Sequence, residues 1–264
     1  MGFDEISRRV IKYFCVVPAA LFSAVGSCDG NQLEKETKPA NSLEDRCSFD
    51  YDGWDKSEME KLVRSSVTSR VTMFGIDHGN PDEPGDKRDG EFVAGLLPFY
   101  NNQGFCYVAV EGPASLNERL KNEGFEEEAR NVFGLHWAEF GPVIQRAREL
   151  GMQVVFYDTE KDYDGDYSDR DAIAFGNVKR MIFDKDHDAK VVFYSGARHM
   201  HKDPVEVSFL DRTKVKTIGC FLYEMFDKGL TTVYLQPEKT RVAFFFDHEF
   251  YLGKQCLATK QQHR

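Results

Sequence analysis

The sequence lacks the short motifs by which many enzymes are identified. It contains no Gly-x-Ser-x-Gly nucleophile elbow, no phosphate-binding P-loop, no Gly-x-Gly-x-x-Gly dinucleotide motif and no His-Glu-x-x-His zinc motif. A Cys-x-x-Cys pair, zinc-finger spacing and a repeat of about 20 to 50 residues are also absent. The classes of enzyme and binding protein that these motifs identify therefore find no support in the sequence.

Negative charge exceeds positive charge. The chain has 34 lysine and arginine residues against 44 aspartate and glutamate residues, a net charge of −10, and no basic stripe. This argues against a nucleic-acid partner, which would need a positive surface. Apolar residues are plentiful, because 41% of the 264 residues are hydrophobic and 13% are aromatic. That is enough to bury a sizeable core.

No hydrophobic run near the N-terminus is long enough to span a bilayer. The apolar segment 13–26 is shorter than the ~20 residues that a membrane-spanning helix needs. It follows a basic segment (8–12), has the length of a signal-peptide core, and leads through small residues to Cys28. This order resembles the lipobox of bacterial lipoproteins, which implies lipidation of Cys28. The alternatives are an ordinary secretory signal and an uncleaved anchor.

The predicted organisation has three parts. Residues 1–27 are a lipoprotein signal peptide, residues 28–50 hold the lipidated cysteine and a polar tether, and residues 51–264 form a single α/β domain. The chain would be exported and lipid-anchored to a bacterial membrane. Asp29 after the cysteine resembles the inner-membrane retention signal of Gram-negative lipoproteins, which implies the periplasmic face of that membrane.

Export would permit disulfides. Cys106 and Cys220 lie in or beside apolar runs and are predicted to be small core residues, and the sequence leaves the disulfide status of Cys47, Cys106, Cys220 and Cys256 open.

Apolar runs alternate with helical patterns along the predicted domain. A first helix is predicted at 55–67, and further helices at 90–100, 115–130, 136–150, 169–185 and 219–227. Strands are predicted at 71–76, 106–112, 153–158, 190–196, 215–219, 231–236 and 242–246. Short apolar strands separated by helices favour an α/β fold with a mostly parallel sheet that helices cover on both faces. The last two strands are close enough in sequence to form a C-terminal antiparallel hairpin.

The helix predicted at 169–185 has a readable start. Ser168 stands at the N-cap position and Asp171 follows three residues later, as in a capping box. Arg170 would then lie in the first turn, near the C-terminal end of strand 153–158.

Ionisable residues follow the C-terminal ends of the first four predicted strands. In open parallel sheets ligands bind at this edge. "GIDH" (75–78) and "GARH" (196–199) share the pattern Gly-x-x-His, and Glu111 ends the strand between them in the chain. Glycine would allow a sharp turn, and each histidine would point back over the edge. Two histidines and a carboxylate form a ligand set for a first-row metal, which can activate water for hydrolysis.

Several neighbouring residues have both a functional and a structural interpretation. Asp77 either orients an imidazole or serves as a base, or it caps a turn. Arg170 binds a substrate anion or pairs with nearby aspartates. His201 is a substrate-binding residue or a surface residue. His136 and Glu139 stand one helical turn apart, and an exposed helix face or a packed histidine is favoured over a ligand pair.

Taken together, the motifs resemble the superfamily that joins Tiki proteases, TraB proteins, erythromycin esterases and ChaN-like haem-binding lipoproteins. The similarity runs from about Val71 to Pro204 through "GIDHGNP", "VEGP", "SDRDAIAFGNVKRMI" and "VVFYSGARH". The layout with a lipobox is closest to the ChaN-like haem-uptake lipoproteins. The resemblance implies an erythromycin esterase/ChaN-like fold and a polar site of His78, Glu111, Arg170 and His199. It also implies a divalent metal, manganese or cobalt rather than zinc, in Tiki-like members.

One departure bears on activity. Many esterase-like and ChaN-like members read Gly-Glu-x-His at the first motif, and here Ile76 takes the place of the glutamate. If that glutamate is the base, Asp77 would have to substitute from the next position.

Three hypotheses follow. The first is a membrane-tethered hydrolase of peptide or ester bonds, metal-dependent or using a polarised water. Because metal binding needs neutral histidines, its activity would fall below about pH 6. The second is a haem-binding lipoprotein for iron uptake, with Tyr157, Tyr163 and Tyr167 as candidate ligands. The third is an inactive scaffold of the same fold. The partner is a small-molecule or peptide substrate, and the sequence leaves the oligomeric state open.

Overall fold

A six-stranded parallel sheet forms the centre of the molecule. The computed structural model describes residues 62, 65, 68–78, 87–120, 124–160, 167–206, 214–236 and 248–251. The strands of this sheet are β1 (Val71–Ile76), β2 (Tyr107–Pro113), β3 (Gln153–Asp158), β4 (Val191–Gly196), β7 (Leu230–Gln236) and β8 (His248–Tyr251). Their order is β3-β2-β4-β1-β7-β8, and every neighbouring pair is parallel. The predicted α/β fold with a mostly parallel sheet is confirmed.

Helices cover both faces of the sheet, which is why the strands are apolar throughout rather than alternating. The α-helices are α1 (Lys87–Asn102), α2 (Phe125–Phe133), α3 (Trp137–Glu149), α4 (Tyr167–Val178) and α5 (Ile218–Phe226). One core cluster joins α1, α2 and α3 to one face, where Phe74 and Ile76 point. The other joins α4 and α5 to the opposite face, where Met73 and Phe193 point. All six residues of β1 and of β4 are buried.

Shorter helical segments lie at the ends of these elements. Three-ten helices span Ala114–Glu118, Gly134–His136, Ala197–Met200 and Asp227–Gly229, and a π-helical segment, Lys179–Phe183, continues α4. A separate two-stranded antiparallel sheet pairs β5 (Val205–Glu206) with β6 (Lys214–Val215).

The strand order matters most for the site. β4 lies between β1 and β2, so the chain returns to the middle of the sheet after it has formed β3 at the edge. Ile76 is in register with Gly196, and Val110 with Tyr194. The C-terminal ends of β1, β4 and β2 therefore stand side by side, and the residues that follow them meet.

Three predicted elements are wrong in part. The last strand, His248–Tyr251, pairs parallel to β7, so it does not form the antiparallel hairpin; residues 242–246 lie outside the described residues. The strand predicted at 215–219 is limited to β6, because Thr217 caps α5 and its hydroxyl accepts a hydrogen bond from the Cys220 amide. The helix predicted at 115–130 is a three-ten helix and α2, with 121–123 outside the described residues.

Two further predictions need correction. α4 begins at Tyr167, which places Ser168 inside the helix rather than at its N-cap. Cys106 is half-buried and disulfide-bonded rather than a small core residue, and the sequence had left the question of a bridge open. Cys220 is a free, buried cysteine as predicted. Most of the helix predicted at 55–67 lies outside the described residues.

Candidate active site

Glu111 is the central residue of a polar cluster at the C-terminal edge of the sheet. Its Oε2 accepts a hydrogen bond from the backbone amide of Gly196 at 2.7 Å and lies 3.4 Å from His78 Nε2. Its Oε1 accepts a hydrogen bond from Arg170 Nη2 at 3.0 Å and lies 3.4 Å from His199 Nε2. One carboxylate therefore contacts both predicted histidines and the predicted arginine.

A second carboxylate orients His78. It belongs to Glu139 on α3, which packs with α1 and α2 on one face of the sheet. His78 Nδ1 lies 3.0 Å from Glu139 Oε2, and the Glu139 side chain on α3 is fully buried. His136 Nδ1 approaches the same oxygen at 3.2 Å. The imidazole of His78 is thus held between two carboxylates, one through each ring nitrogen.

His199 is held in a similar way from the other layer. Its Nδ1 lies 2.7 Å from Asp171 Oδ1 on α4, while its Nε2 faces Glu111. Asp171 Oδ2 in turn accepts a hydrogen bond from the backbone amide of Ile218, the first residue of α5, at 3.1 Å. Each ring nitrogen of His199 therefore faces a carboxylate, which fixes the orientation of the ring.

Arg170 joins β3 to the cluster. Its Nε donates a hydrogen bond to Asp158 Oδ1 at 3.0 Å, and its Nη2 contacts Asp158 Oδ2 as well as Glu111. The predicted position of Arg170, in the first turn of a helix and beside the end of strand 153–158, is confirmed. Among the described residues, Nη1 takes no part in these contacts.

The charges of the cluster favour protonated histidines. Burial lowers the pKa of His78, but hydrogen bonds and charges from Glu111 and Glu139 outweigh it and raise the pKa to about 10. Burial likewise lowers the pKa of His199, and the Glu111 charge and the Asp171 hydrogen bond raise it to about 10. Burial raises the pKa of Glu111, but the charges and hydrogen bonds of His199 and His78 hold it well below its usual range. In the absence of a metal, both histidines are already protonated at neutral pH. These pKa values therefore do not support the predicted loss of activity below about pH 6.

The glycines of the two Gly-x-x-His motifs provide space rather than an unusual turn. Gly196 has an ordinary φ of −56°, and neither it nor Gly75 is among the described glycines with positive φ. A Cβ on Gly196 would lie 2.8 Å from His78 Nε2 and 3.3 Å from Glu111 Oε2. A Cβ on Gly75 would lie 2.4 Å from Met200 Sδ. Neither position therefore requires the conformational freedom of glycine, and close approach explains both glycines.

Gly196→Ala is expected to destabilise the protein by about 1–3 kcal/mol, because β1 and β2 fix β4 on both sides and His78 has to move instead. Urea unfolding measures this change. Gly176→Ala is the matched control: a Cβ on Gly176 in α4 meets nothing within 4 Å, so the free energy of unfolding stays equal or rises by up to ~1 kcal/mol. Equal stability of the two variants would contradict the close approach at Gly196.

Other predicted residues lie outside the cluster. The Asp77 side chain is exposed, and the imidazole of His78 contacts Glu111 and Glu139 instead, so the orienting role predicted for Asp77 falls to Glu139. His201 is half-buried and is not among the contacts of Glu111; its backbone carbonyl accepts a hydrogen bond from Thr217. Burial, and then the charge of Arg198, lower the pKa of His201.

Sequence reasoning missed four members of the site: His136, Glu139, Asp158 and Asp171. The spacing of His136 and Glu139 favours an exposed helix face or a packed histidine over a ligand pair, and the first of these is wrong, since Glu139 is fully buried. Asp171 was assigned to a capping box, and it contacts His199 instead. The sequence does contain a signal for Asp158, because this residue ends an apolar strand as Glu111 does.

The predicted metal set of His78, Glu111 and His199 does not fit a divalent ion in this arrangement. Both Glu111 oxygens accept hydrogen bonds, and a cation between the imidazoles would face the guanidinium of Arg170 beside Oε1. Among the described residues, the set whose ligand atoms all lie within 4.8 Å of one another is His78, His136 and Glu139.

Comparisons with known proteins found matches among solved structures. No model of a known family matches the chain, and none of the curated proteins matches it. Similar solved structures include the type III effector HopBA1, with 14% identity over 70% of this chain and 85% of that one and a TM-score of 0.43. An erythromycin esterase mutant in its open conformation has 14% identity over 69% and 73%, with a TM-score of 0.48. ChaN of Campylobacter jejuni, described with cofacial haem, has 14% identity over 67% and 85%, with a TM-score of 0.37.

Proposed function

We propose that the protein is a membrane-tethered hydrolase of peptide or ester bonds whose reaction centre is Glu111 with His78, His199 and Arg170. The observation that carries the proposal is the Glu111 carboxylate held between two imidazoles and a guanidinium at the C-terminal edge of the sheet. Ligands bind at this edge in open parallel sheets. Carboxylates and imidazoles with shifted pKa values cluster at catalytic sites.

The contacts suit acid–base hydrolysis. A water that attacks the substrate carbonyl carbon would give its proton to Glu111, which stays ionised at neutral pH. The carbonyl oxygen becomes an oxyanion, which the free Nη1 of Arg170 and an imidazolium stabilise as positive donors. Collapse of this intermediate breaks the C–O or C–N bond, and an imidazolium gives its proton to the leaving group. The proton on Glu111 then passes to that imidazole across the 3.4 Å contact and restores the site.

Glu139 supplies a carboxylate that compensates for the missing glutamate at position 76, where this chain has Ile76. Ile76 is buried on the face of the sheet that α3 covers, so it contributes to the core. Glu139 comes from that same helix and places a carboxylate 3.0 Å from His78. A carboxylate partner for the first histidine is thus present, although it comes from a distant part of the chain.

The test is hydrolysis of a chromogenic short-chain ester and of a fluorogenic peptide library by the full chain. The His78→Ala/His199→Ala double variant is expected to lose at least about 100-fold in rate, because both proton donors are removed. His187→Ala, an exposed histidine, is the matched control and keeps the parent rate. Equal rates for parent and double variant would rule out this centre. Assays with and without chelator separate metal-free from metal-dependent hydrolysis.

The haem-binding alternative has less support from the described residues. Tyr157, one of its candidate ligands, is 2% exposed and packs against Phe193 in the core. Burial raises the pKa of its phenol well above the usual range, which disfavours the phenolate that would bind iron. The side chains of Tyr163 and Tyr167 lie outside the described residues. A Soret band on titration with haemin would favour this alternative.

The membrane tether is proposed from the sequence alone. Cys28 and the signal segment lie outside the described residues, and none of the described helices is long and apolar enough to cross a bilayer. The disulfide at Cys106 is compatible with an oxidising compartment, and thus with export. Labelling of the expressed chain with a radioactive fatty acid, lost in Cys28→Ser, would test lipidation.

A further inference from the structure

A second polar cluster lies around the other ring nitrogen of His78. It consists of His78, His136 and Glu139, and the two Nδ1 atoms lie 3.0 and 3.2 Å from the same oxygen, Glu139 Oε2. The imidazole rings are 5.4 Å apart between centroids and inclined by 71°, so they approach the carboxylate from different directions. Separations of about 3 Å between donor atoms are those found around an ion with bonds of about 2.0–2.2 Å.

The second carboxylate oxygen of Glu139 is also evidence for a bound cation. Oε1 is buried and has no hydrogen-bond partner among the described residues. A buried carboxylate oxygen without a partner is costly, since it has lost its water and gained nothing in exchange. A cation bound by this carboxylate would compensate a negative charge that the two contacts at Oε2 leave without a partner at Oε1.

Access from solvent also suits a small cation, which would displace the proton from Nδ1 of His78. The side chains of His78 and His136 are 32% and 29% exposed, whereas Glu139 is fully buried behind them. An ion would therefore enter from solvent past the two rings and meet the carboxylate on the inner side. Arg170 contacts Glu111 and Asp158 rather than any member of this cluster. In the predicted set of His78, Glu111 and His199, by contrast, the carboxylate itself is in contact with Arg170.

We propose that His78, His136 and Glu139 bind a first-row divalent cation such as cobalt, manganese or zinc, through two imidazole nitrogens and one carboxylate. Two histidines with one carboxylate are a donor set that suits these ions. His78 would bind through Nδ1 and keep its Nε2–H directed at Glu111, 3.4 Å away. Glu111 is then the carboxylate that orients a metal-bound histidine, not a ligand.

The inference extends the proposed function by naming a cofactor site beside the reaction centre, but binding needs no substrate and is tested without one. Chelator-treated full-length protein is titrated with cobalt chloride, followed by calorimetry and by the visible absorption of bound cobalt. The parent is expected to bind one cobalt per chain. His136→Asn and Glu139→Gln are expected to weaken binding by at least about 100-fold, since each removes a ligand.

Two controls locate the ion. His199→Asn removes a histidine of the predicted set only, so it should bind cobalt within about threefold of the parent. His187→Ala removes an exposed histidine and reports binding to the surface. His136 is half-exposed, so its variant is expected to fold even if the change at buried Glu139 prevents folding.

The proposal is overturned if the parent binds no cobalt in excess of the ion, or if His136→Asn binds it as the parent does. Loss of binding in His199→Asn with retention in His136→Asn would place the ion at the predicted set instead. If the protein binds cobalt as proposed but hydrolyses neither esters nor peptides, only the proposed function is rejected. Hydrolysis that persists in chelator, with no cobalt bound, would reject only the metal site.

Discussion

Glu111→Gln is expected to abolish hydrolysis and to cost about 3 kcal/mol of stability. The carboxylate accepts the Gly196 amide at 2.7 Å and balances Arg170, His78 and His199 in a site where its own side chain is 13% exposed. Removing one partner of a buried charge cluster costs about 3–5 kcal/mol. The lower end applies because each cation keeps a second carboxylate: Asp158, Glu139 and Asp171 respectively.

Urea unfolding measures the stability of this variant, and the ester assay its activity. Glu149→Gln is the matched control, because Glu149 is 63% exposed and, among the described residues, pairs only with Arg146 on the same helix. That surface pair contributes less than about 1 kcal/mol. A Glu111→Gln protein as stable as Glu149→Gln would show that the cluster is not held together by this carboxylate. Full activity in a folded Glu111→Gln protein would remove Glu111 from the reaction.

Metal-free protein is expected to lose stability between about pH 6.5 and pH 10. The pKa values of His78 and His199 are about 10 when folded, above about 6.5 in the unfolded chain. A raised pKa means that the protonated form is preferred by the folded state, so this contribution is complete below pH 6.5 and lost as pH rises through 10. Because both side chains are partly exposed, we expect about 2 kcal/mol for the two together.

Other groups titrate in alkali, so the measurement is a difference between two proteins in chelator. The stability of the parent minus that of His199→Asn should shrink by about 1 kcal/mol between pH 7 and pH 10.5. The imidazole resonances of both histidines in the parent should titrate near pH 10. A stability difference that is constant with pH, or resonances that titrate near pH 6.5, would contradict the charge balance described for the site.

Local sequence was sufficient to find the edge of the sheet where the polar residues gather. β1, β2, β3 and β4 were predicted within one residue of their observed bounds, because an apolar run and the polar residues that follow it are local signals. Residues predicted at the ends of these strands, His78, Glu111 and His199, lie together for that reason. The position of Arg170 followed from the predicted start of its helix and from the strand before it.

The sequence did not reveal which strands are neighbours. The insertion of β4 between β1 and β2 places the Gly196 amide on Glu111, and it excludes a side chain at that position. Strand order depends on pairing between residues far apart in the chain, which no local pattern encodes. The parallel pairing of the last strand was missed for the same reason.

The sequence by itself determined the class of fold, the strand ends and the residue types that meet there. Tertiary structure alone decided how those residues are paired. His136 and Glu139 read as one face of a helix, and only the packing of α3 on the sheet turns that face inward and buries Glu139 against His78. The physical reason is that a helical pattern specifies which residues share a face. What that face meets depends on the whole fold.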